Sequence, residues 1–154
     1  MTARDRVAFA LATWFGCGYV PYAPGTAGTL GAIPLYLALR EGGTIAVVAG
    51  AIAITAIGVW AAGTVARRTA TKDPQIVVID EVAGVLWTLS VAPRSAIAIV
   101  IGVVMFRVFD QLKPWPANRA ERDLPGGLGI VLDDVAAGAW GAAVLALLRW
   151  RGAI

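Results

Sequence analysis

Residues 44–66 form the longest uninterrupted apolar segment of the chain, and they place the strongest limit on its fold. As a helix that rises about 1.5 Å per residue, this segment is long enough to cross the roughly 30 Å of hydrocarbon in a bilayer. Three bases, Arg67, Arg68 and Lys72, follow it directly. Because bases next to apolar segments are typical of the cytoplasmic side, the segment predicts a membrane helix that ends at the cytoplasmic surface.

The composition of the whole chain agrees with a membrane protein. Of the 154 residues, 58% are hydrophobic and 15% are charged, whereas a soluble domain has roughly 25% charged residues. The mean hydropathy is +0.74. The 13 basic residues are scattered along the chain, so we expect no nucleic-acid partner. The length is that of one domain, residues 1–154, embedded in the membrane.

Glycine, proline and charged residues divide the rest of the chain into further helices. The pattern predicts helices at about 3–15, 27–40, 44–66, 78–91, 95–109 and 133–149. Residues 110–132 are polar and rich in turn-forming residues, so they predict a loop region. The predicted fold class is all-α: a compact helical membrane protein with short helical hairpins.

Two apolar hairpins, 27–66 and 78–109, determine where the polar parts of the chain lie. Because each hairpin crosses and returns, the blocks at 13–29, 67–81 and 107–134 should all end on one face. Nine of the 13 bases belong to that face in this topology. The bases on the other face are Arg40, Arg94, Arg149 and Arg151. The excess favours a cytoplasmic position for the face that carries the three blocks.

Five acids border the apolar segments. They are Asp80, Glu81, Asp110, Asp133 and Asp134. A carboxylate beside hydrocarbon is costly unless a cation or a hydrogen bond compensates it. Helix capping is one interpretation, since acids in a first turn complement the helix dipole. The other interpretation is a metal site, and because the chain has no histidine, ligands of oxygen alone favour Mg²⁺ or Mn²⁺ over Zn²⁺.

The segment around Gly25, Thr26 and Thr29 opens a predicted helix. Free backbone N–H groups at the start of a helix favour an anion such as phosphate. An ordinary threonine cap after a Pro-Gly turn explains the same pattern. This segment alone therefore leaves both interpretations open.

Three charged residues at the end of another predicted helix share one face. Arg107, Asp110 and Lys113 follow each other at intervals of three residues, and residues at this spacing are neighbours on a helix. Such a face would bind a phosphate next to a metal, or it would form plain salt bridges at a helix end. The stretch by itself does not distinguish the two.

Three sequence blocks together resemble the phosphatidylglycerophosphatase A family. They are GCGYVPYAPGTAGTLGAIPLY, KDPQIVVIDEVAG and FRVFDQLKPWPANRAERDLPGGLGIVLDDVAAG, in the order of the family and over nearly the whole chain. The resemblance implies an all-helical lipid phosphatase that uses Mg²⁺. It implies hydrolysis of phosphatidylglycerophosphate in the membrane to phosphatidylglycerol and inorganic phosphate. It further implies the bacterial inner membrane as the location, with the active site facing the cytoplasm.

The resemblance also implies roles for individual residues. The implied metal ligands are Asp80, Glu81, Asp133 and Asp134. The implied catalytic residues are Asp80, Glu81, Asp110, Lys113 and Asp134. The implied phosphate-binding residues are Gly25, Thr26, Thr29, Lys72, Arg107 and Lys113. Glu81 would act as a metal ligand or as the general base for water, and an acidic nucleophile that forms a phospho-enzyme is the alternative.

Two other classes of protein compete with this interpretation. A small membrane transporter also carries acids among apolar helices, but it is expected to place them in the middle of helices rather than at their ends. Another Mg²⁺-dependent enzyme of phospholipid headgroups would be a CDP-alcohol phosphotransferase, whose D-G-x2-A-R…G-x3-D-x3-D pattern is missing here. Release of phosphate from a lipid phosphate monoester separates the phosphatase from both.

Overall fold

The computed structural model describes the backbone of residues 1–154 and all side chains except that of Glu121. The backbone contains helices and no strands, which confirms the all-α class. The α-helices in chain order are α1 (Ala3–Ala12), α2 (Pro24–Gly31), α3 (Ile33–Leu39), α4 (Gly43–Thr69), α5 (Ile79–Leu89), α6 (Ala96–Leu112), α7 (Ala117–Asp123) and α8 (Gly126–Trp150). Short 3₁₀ turns occupy Cys17–Tyr19 and Arg40–Gly42.

Helix α5 lies at the centre of the bundle and packs against α4, α6 and α8. Thr88 of α5 joins it to α8, because its hydroxyl lies 3.0 Å from the carbonyl oxygen of Gly84 and 3.1 Å from that of Gly138. A Cβ atom at Gly138 would overlap the carbonyl of Gly84. The two helices therefore approach closely only because glycine occupies this position, as small residues allow in packed helix pairs. This contact holds the acids of α5 and α8 side by side.

The largest error of the sequence prediction concerns the start of the last helix. It begins at Gly126 rather than at residue 133, so it includes a glycine-rich stretch of low helix propensity. Gly127 lies directly against the α4 backbone at Val59, and this packing offsets the low propensity. Asp133 and Asp134 consequently lie beyond the first turn of α8. The capping interpretation is wrong for this pair, whereas Asp80 and Glu81 do lie in the first turn of α5.

Smaller differences occur elsewhere. Helix α1 ends at Ala12 rather than at residue 15, because Trp14 and Phe15 adopt positive φ angles of 45° and 55°. The helix predicted at 27–40 begins earlier and is divided into α2 and α3 next to Pro34, which lacks a backbone N–H. The predicted loop region at 110–132 contains the last turn of α6, all of α7 and the first part of α8.

Two stretches of the chain are long and apolar enough to cross a membrane. They are Pro24–Thr69, which ends with α4, and Gly126–Trp150, which is α8. Helix α6 also has an outward apolar face, since Ile97, Val100, Val104 and Val108 are all exposed. Their spacing of three or four residues puts them on one side of the helix. The described chain thus combines two helices of spanning length with an uncovered apolar face.

Candidate active site

A cavity of about 420 Å³ opens at one end of the bundle. The amino ends of α2 and α5, the carboxyl end of α6 and the first half of α8 meet there. Its charged lining residues are Asp73, Asp80, Glu81, Arg107, Asp110, Lys113, Asp133 and Asp134. All three sequence blocks contribute to the lining, so the structure confirms that they gather at one place in the fold.

Three carboxylates form a tight group on one wall of this cavity. Asp80 and Glu81 of α5 and Asp134 of α8 each offer an oxygen, and these oxygens lie within 4.8 Å of one another. Asp80 and Asp134 are 8% and 4% exposed. One oxygen of each carboxylate, namely Asp80 Oδ1, Glu81 Oε2 and Asp134 Oδ2, is buried without a hydrogen-bond partner among the described residues. Buried polar atoms normally have partners, so three unsatisfied oxygens in one group require an explanation.

A divalent cation would satisfy this group. Three carboxylates so close together repel each other strongly in a buried setting. A bound cation removes the repulsion and gives each orphaned oxygen a partner. The donor set consists of oxygen alone, which suits Mg²⁺ or Mn²⁺. The described residues therefore fit the metal that the sequence predicted, and Asp80, Glu81 and Asp134 are the residues that could hold it.

Asp133 lines the same cavity but is not a member of this carboxylate group. Its Oδ2 atom accepts a 2.8 Å hydrogen bond from Lys113 Nζ, and its Oδ1 atom accepts a 3.0 Å bond from the backbone N–H of Asp134. Neighbouring residues on a helix point about 100° apart. The structure thus assigns the two adjacent acids to different partners, and it places the predicted ligand Asp133 outside the group that offers metal ligands.

Arg107 connects the carboxylate group to Asp110. Its Nη1 atom lies 3.0 Å from Asp110 Oδ2 and 3.8 Å from Glu81 Oε1. Arg107 and Lys113 are the predicted phosphate-binding cations that line the cavity. Arg107 pairs with Asp110 and Glu81, and Lys113 pairs with Asp133. Both cations are therefore positioned beside the carboxylate group rather than free in solvent.

Gly25 lies against this same charged set at the first turn of α2. A Cβ atom here would overlap Glu81 Oε1 and would lie 3.2 Å from Arg107 Nη1. Only glycine therefore leaves the space between the backbone and the two charged groups. Of the predicted phosphate-binding residues on this segment, Gly25 and Thr26 line the cavity. Thr29 is fully buried, and its hydroxyl donates a 2.8 Å hydrogen bond to the Gly25 carbonyl; it lies outside the cavity lining.

Lys72 lies beside the main cavity rather than in it. It lines a separate, smaller cavity of about 60 Å³ next to Asp73. The prediction also omitted several residues that do line the main cavity, which are Tyr22, Asp73, Gln75 and Gln111. All of them fall within the three sequence blocks, as neighbours of predicted residues. The signal was present in the motifs, but nothing in the residue types distinguished these side chains from ordinary loop residues.

Comparison with known proteins decides the family. The sequence profile of the family described as Phosphatidylglycerophosphatase A matches residues 10–149. The chain belongs to this family. It is therefore an enzyme of the phosphatase class, and the matched range contains every residue of the cavity. The resemblance seen in the three sequence blocks is confirmed.

Individual relatives cover nearly the whole chain. A phosphatidylglycerophosphatase A of Escherichia coli K12 is 34% identical over 88% of this chain and 79% of its own length. That of Haemophilus influenzae is 30% identical over 91% and 87%. A Bacteroides thetaiotaomicron protein, whose name assigns it provisionally as a phosphatidylinositol-3-phosphatase, is 35% identical over 91% and 92%. No solved structure matches the chain.

Proposed function

We propose that this member of the family removes the terminal phosphate of phosphatidylglycerophosphate in the cytoplasmic membrane and depends on Mg²⁺. The observation that carries the proposal is the group of three unsatisfied carboxylate oxygens of Asp80, Glu81 and Asp134. It lies in the same cavity as Arg107 and Lys113. A site that combines a cation held by carboxylates with two fixed basic side chains suits phosphoryl transfer.

The residues of the chain divide the work of this hydrolysis. Asp80, Glu81 and Asp134 would hold a divalent cation, and the bound cation would supply Lewis-acid stabilisation of the negative charge on the phosphoryl oxygens. Arg107 and Lys113, which lie beside the carboxylates, bind the same phosphoryl oxygens. Water attacks the phosphorus and the bond between phosphorus and the glycerol oxygen breaks. One proton of the water ends on that oxygen, which gives the hydroxyl of the product, and the rest of the water leaves as part of inorganic phosphate. Asp110 positions Arg107 through their 3.0 Å ion pair.

Glu81 has two candidate roles in this scheme, as a metal ligand or as the base that accepts the proton of water. A Glu81→Gln variant separates them. Loss of a ligand raises the Mg²⁺ concentration needed for half-maximal rate, whereas loss of a base lowers kcat at saturating Mg²⁺.

Membrane embedding is supported by the distribution of apolar surface. Helices α4 and α8 have spanning length, and α6 exposes an apolar face to its surroundings. The excess of bases at the end that holds the cavity supports a cytoplasmic position for this end. A lipid phosphate at that membrane surface would then reach the cavity without leaving the bilayer.

A ridge of exposed apolar and aromatic residues leads to the cavity. Phe15, Tyr19 and Val20 are 74%, 61% and 44% exposed, and Tyr22 is fully exposed while it also lines the cavity. Tyrosine and other aromatic residues favour the boundary between headgroups and hydrocarbon. The ridge would therefore lie in the interfacial layer, where the glycerol part of a phospholipid substrate is found.

A second candidate substrate is phosphatidylinositol 3-phosphate, because a relative that is 35% identical is named for a phosphatase of that lipid. Both lipids present a phosphate monoester, so the metal site and the cations serve either one. The choice depends on whether the headgroup is glycerol or inositol. A direct comparison of rates on the two lipids decides between them.

The test is release of inorganic phosphate by the purified protein in detergent, with each lipid and with Mg²⁺ or a chelator. We expect the faster release from phosphatidylglycerophosphate, loss of release with the chelator, and loss in Asp80→Asn. Asp123→Asn serves as the matched control, because Asp123 is exposed and pairs with Arg122 away from the cavity. Equal activity of Asp80→Asn and Asp123→Asn would exclude the proposed site, and faster release from the inositol lipid would reassign the substrate.

A further inference from the structure

Another polar cavity, of about 190 Å³, lies at the end of the bundle opposite to the active site. It is formed where α4 begins, where α5 ends and where α8 ends. The carboxylate group, in contrast, lies where α5 begins and α6 ends. The side chains that surround this polar cavity include Tyr36, Arg40, Ser90, Arg94 and Arg149. Three of the four bases that the topology put on the far face therefore converge on one place.

Backbone contacts hold two of these guanidinium groups in position. Arg94 Nη2 donates a 2.8 Å hydrogen bond to the Arg40 carbonyl, and Arg149 Nη1 donates a 3.4 Å bond to the Val91 carbonyl. Arg40 Nε is buried and has no hydrogen-bond partner among the described residues. A buried donor of this kind is costly to leave unsatisfied. Arg40, a residue of the cavity lining, thus has an N–H group without a hydrogen bond, and an oxygen of Glu41 lies 3.6 Å from it.

The charge around this cavity is not balanced. Glu41 is the acid near the three arginines, at 3.6 Å from Arg40 Nε and 3.5 Å from Arg94 Nη1, and its side chain is 65% exposed. The cavity lining itself contains no acid among the described residues. Gly43 and Thr44 add the positive amino end of the 27-residue helix α4, which has no side-chain cap. The cavity therefore has a positive potential that one exposed carboxylate only partly offsets.

We propose that this cavity is a binding site for a phosphate group, and that the phosphate belongs to an anionic phospholipid of the leaflet opposite to the catalytic site. Guanidinium groups bind phosphate oxygens in pairs, and the free N–H groups at a helix start complement them. The site is distinct from the catalytic cavity and takes its phosphate without cleaving it, because no cluster of carboxylates that could hold a metal lies beside it among the described residues.

The surroundings of the cavity favour a lipid over free phosphate as the source. Ile45, next to the cavity at the start of α4, is 84% exposed, and Ile97 at the start of α6 is 67% exposed. Exposed isoleucines beside a cluster of arginines match the chain and headgroup of a phospholipid. A cluster of bases on the non-cytoplasmic side also runs against the usual distribution of charge, unless an anion accompanies it.

Binding is tested on the full chain, purified in detergent and freed of lipid, by native mass spectrometry and by thermal unfolding. The probes are short-chain phosphatidylglycerol, phosphatidylcholine of the same chain length, and inorganic phosphate. We expect phosphatidylglycerol to bind at least about tenfold more tightly than phosphatidylcholine, since charge-assisted bonds to arginine distinguish an anionic lipid from a zwitterionic one. Equal affinity for the two lipids would overturn the proposal. If inorganic phosphate binds the cavity as tightly as phosphatidylglycerol, the assignment of the bound phosphate to a lipid is wrong.

Variants assign the binding to this cavity. Arg40→Gln with Arg94→Gln should weaken phosphatidylglycerol binding at least about tenfold. Arg151→Gln is the matched control, because it removes the same charge at the same end while Arg151 stacks on Trp150 outside the cavity. If the double variant does not fold, Arg149→Gln alone should show a smaller loss. Equal losses of phosphatidylglycerol binding in the control and in the cavity variants would overturn the site. These binding measurements do not depend on phosphate release in the catalytic cavity, so they test this proposal separately from the proposed function.

Discussion

The pair Asp133 and Asp134 offers a sharp test of the proposed metal site, because the two acids are adjacent and have different partners. Asp134→Asn removes one of the three carboxylates that lie within 4.8 Å of one another. Asp133→Asn makes the same chemical change one residue earlier, at a side chain that accepts its bond from Lys113. The first variant should change Mg²⁺ binding, and the second should leave it nearly intact.

The expected changes in stability have opposite signs with and without metal. In a chelator, Asp134→Asn removes repulsion from two neighbouring carboxylates, on the order of 3 to 4 kcal/mol for each fully charged pair at about this distance and an effective dielectric constant of about 20. The metal-free variant should therefore unfold several degrees higher than the original chain. In Mg²⁺ it should lose affinity by about 100-fold, or about 2.7 kcal/mol, because even outer contacts of a metal site contribute about 10- to 100-fold.

Thermal unfolding in detergent across a Mg²⁺ titration measures both effects. The original chain and Asp133→Asn should show the same Mg²⁺-dependent increase in Tm, within about twofold in apparent Kd. The increase should be much smaller in Asp134→Asn. Two results would refute the reasoning: a metal-free Asp134→Asn less stable than the original chain, or equal Mg²⁺ responses in the two variants.

Three further predictions follow from single contacts. Gly25→Ala should lower kcat/KM by about 100-fold because the new Cβ displaces the carboxylate of Glu81, and a normal rate in the phosphate assay would contradict this. Hydrogen bonds from Thr2 and then the guanidinium of Arg68 hold the pKa of Asp5 below its ordinary value; the stability that Asp5 contributes is thus present above that value, and the Tm difference between the original chain and Asp5→Asn should shrink as pH falls through the lowered pKa. Thr88→Val should lower the free energy of unfolding by about 1 kcal/mol in a denaturant titration, because it removes the hydroxyl that joins α5 to α8, and an unchanged transition would contradict that role.

Where residue type alone points to chemistry, the structure brings the predicted acids together. Asp80, Glu81 and Asp134 were selected because buried carboxylates beside apolar segments need a cation, and the structure brings their oxygens together. Asp133 was selected for the same reason, but its direction on α8 gives it Lys113 as a partner. Thr29 was predicted to bind phosphate because it matched a motif, but its buried hydroxyl donates a hydrogen bond to the Gly25 carbonyl instead. The direction of a side chain depends on helix phase and packing, which a motif does not contain.

Helix boundaries failed where tertiary contacts override local propensity. A glycine-rich stretch predicts a loop when it is considered alone. At Gly127 the same lack of a side chain allows α8 to lie against α4, so the packing stabilises a helix there. Trp14 and Phe15 show the opposite case, because they leave the helix in left-handed conformations that few residues of their size adopt.

The sequence by itself determined the helical class, the long apolar segment and the placing of the three motif blocks at one end, because hydrophobic pattern and chain reversal are local properties. Only the tertiary structure decided which acids form one group. It also decided that Arg40, Arg94 and Arg149 converge on a cavity at the far end. These residues are widely separated in the chain, and distances between them depend on how closely helices pack, which is set by small residues such as Gly138 at the contacts between helices.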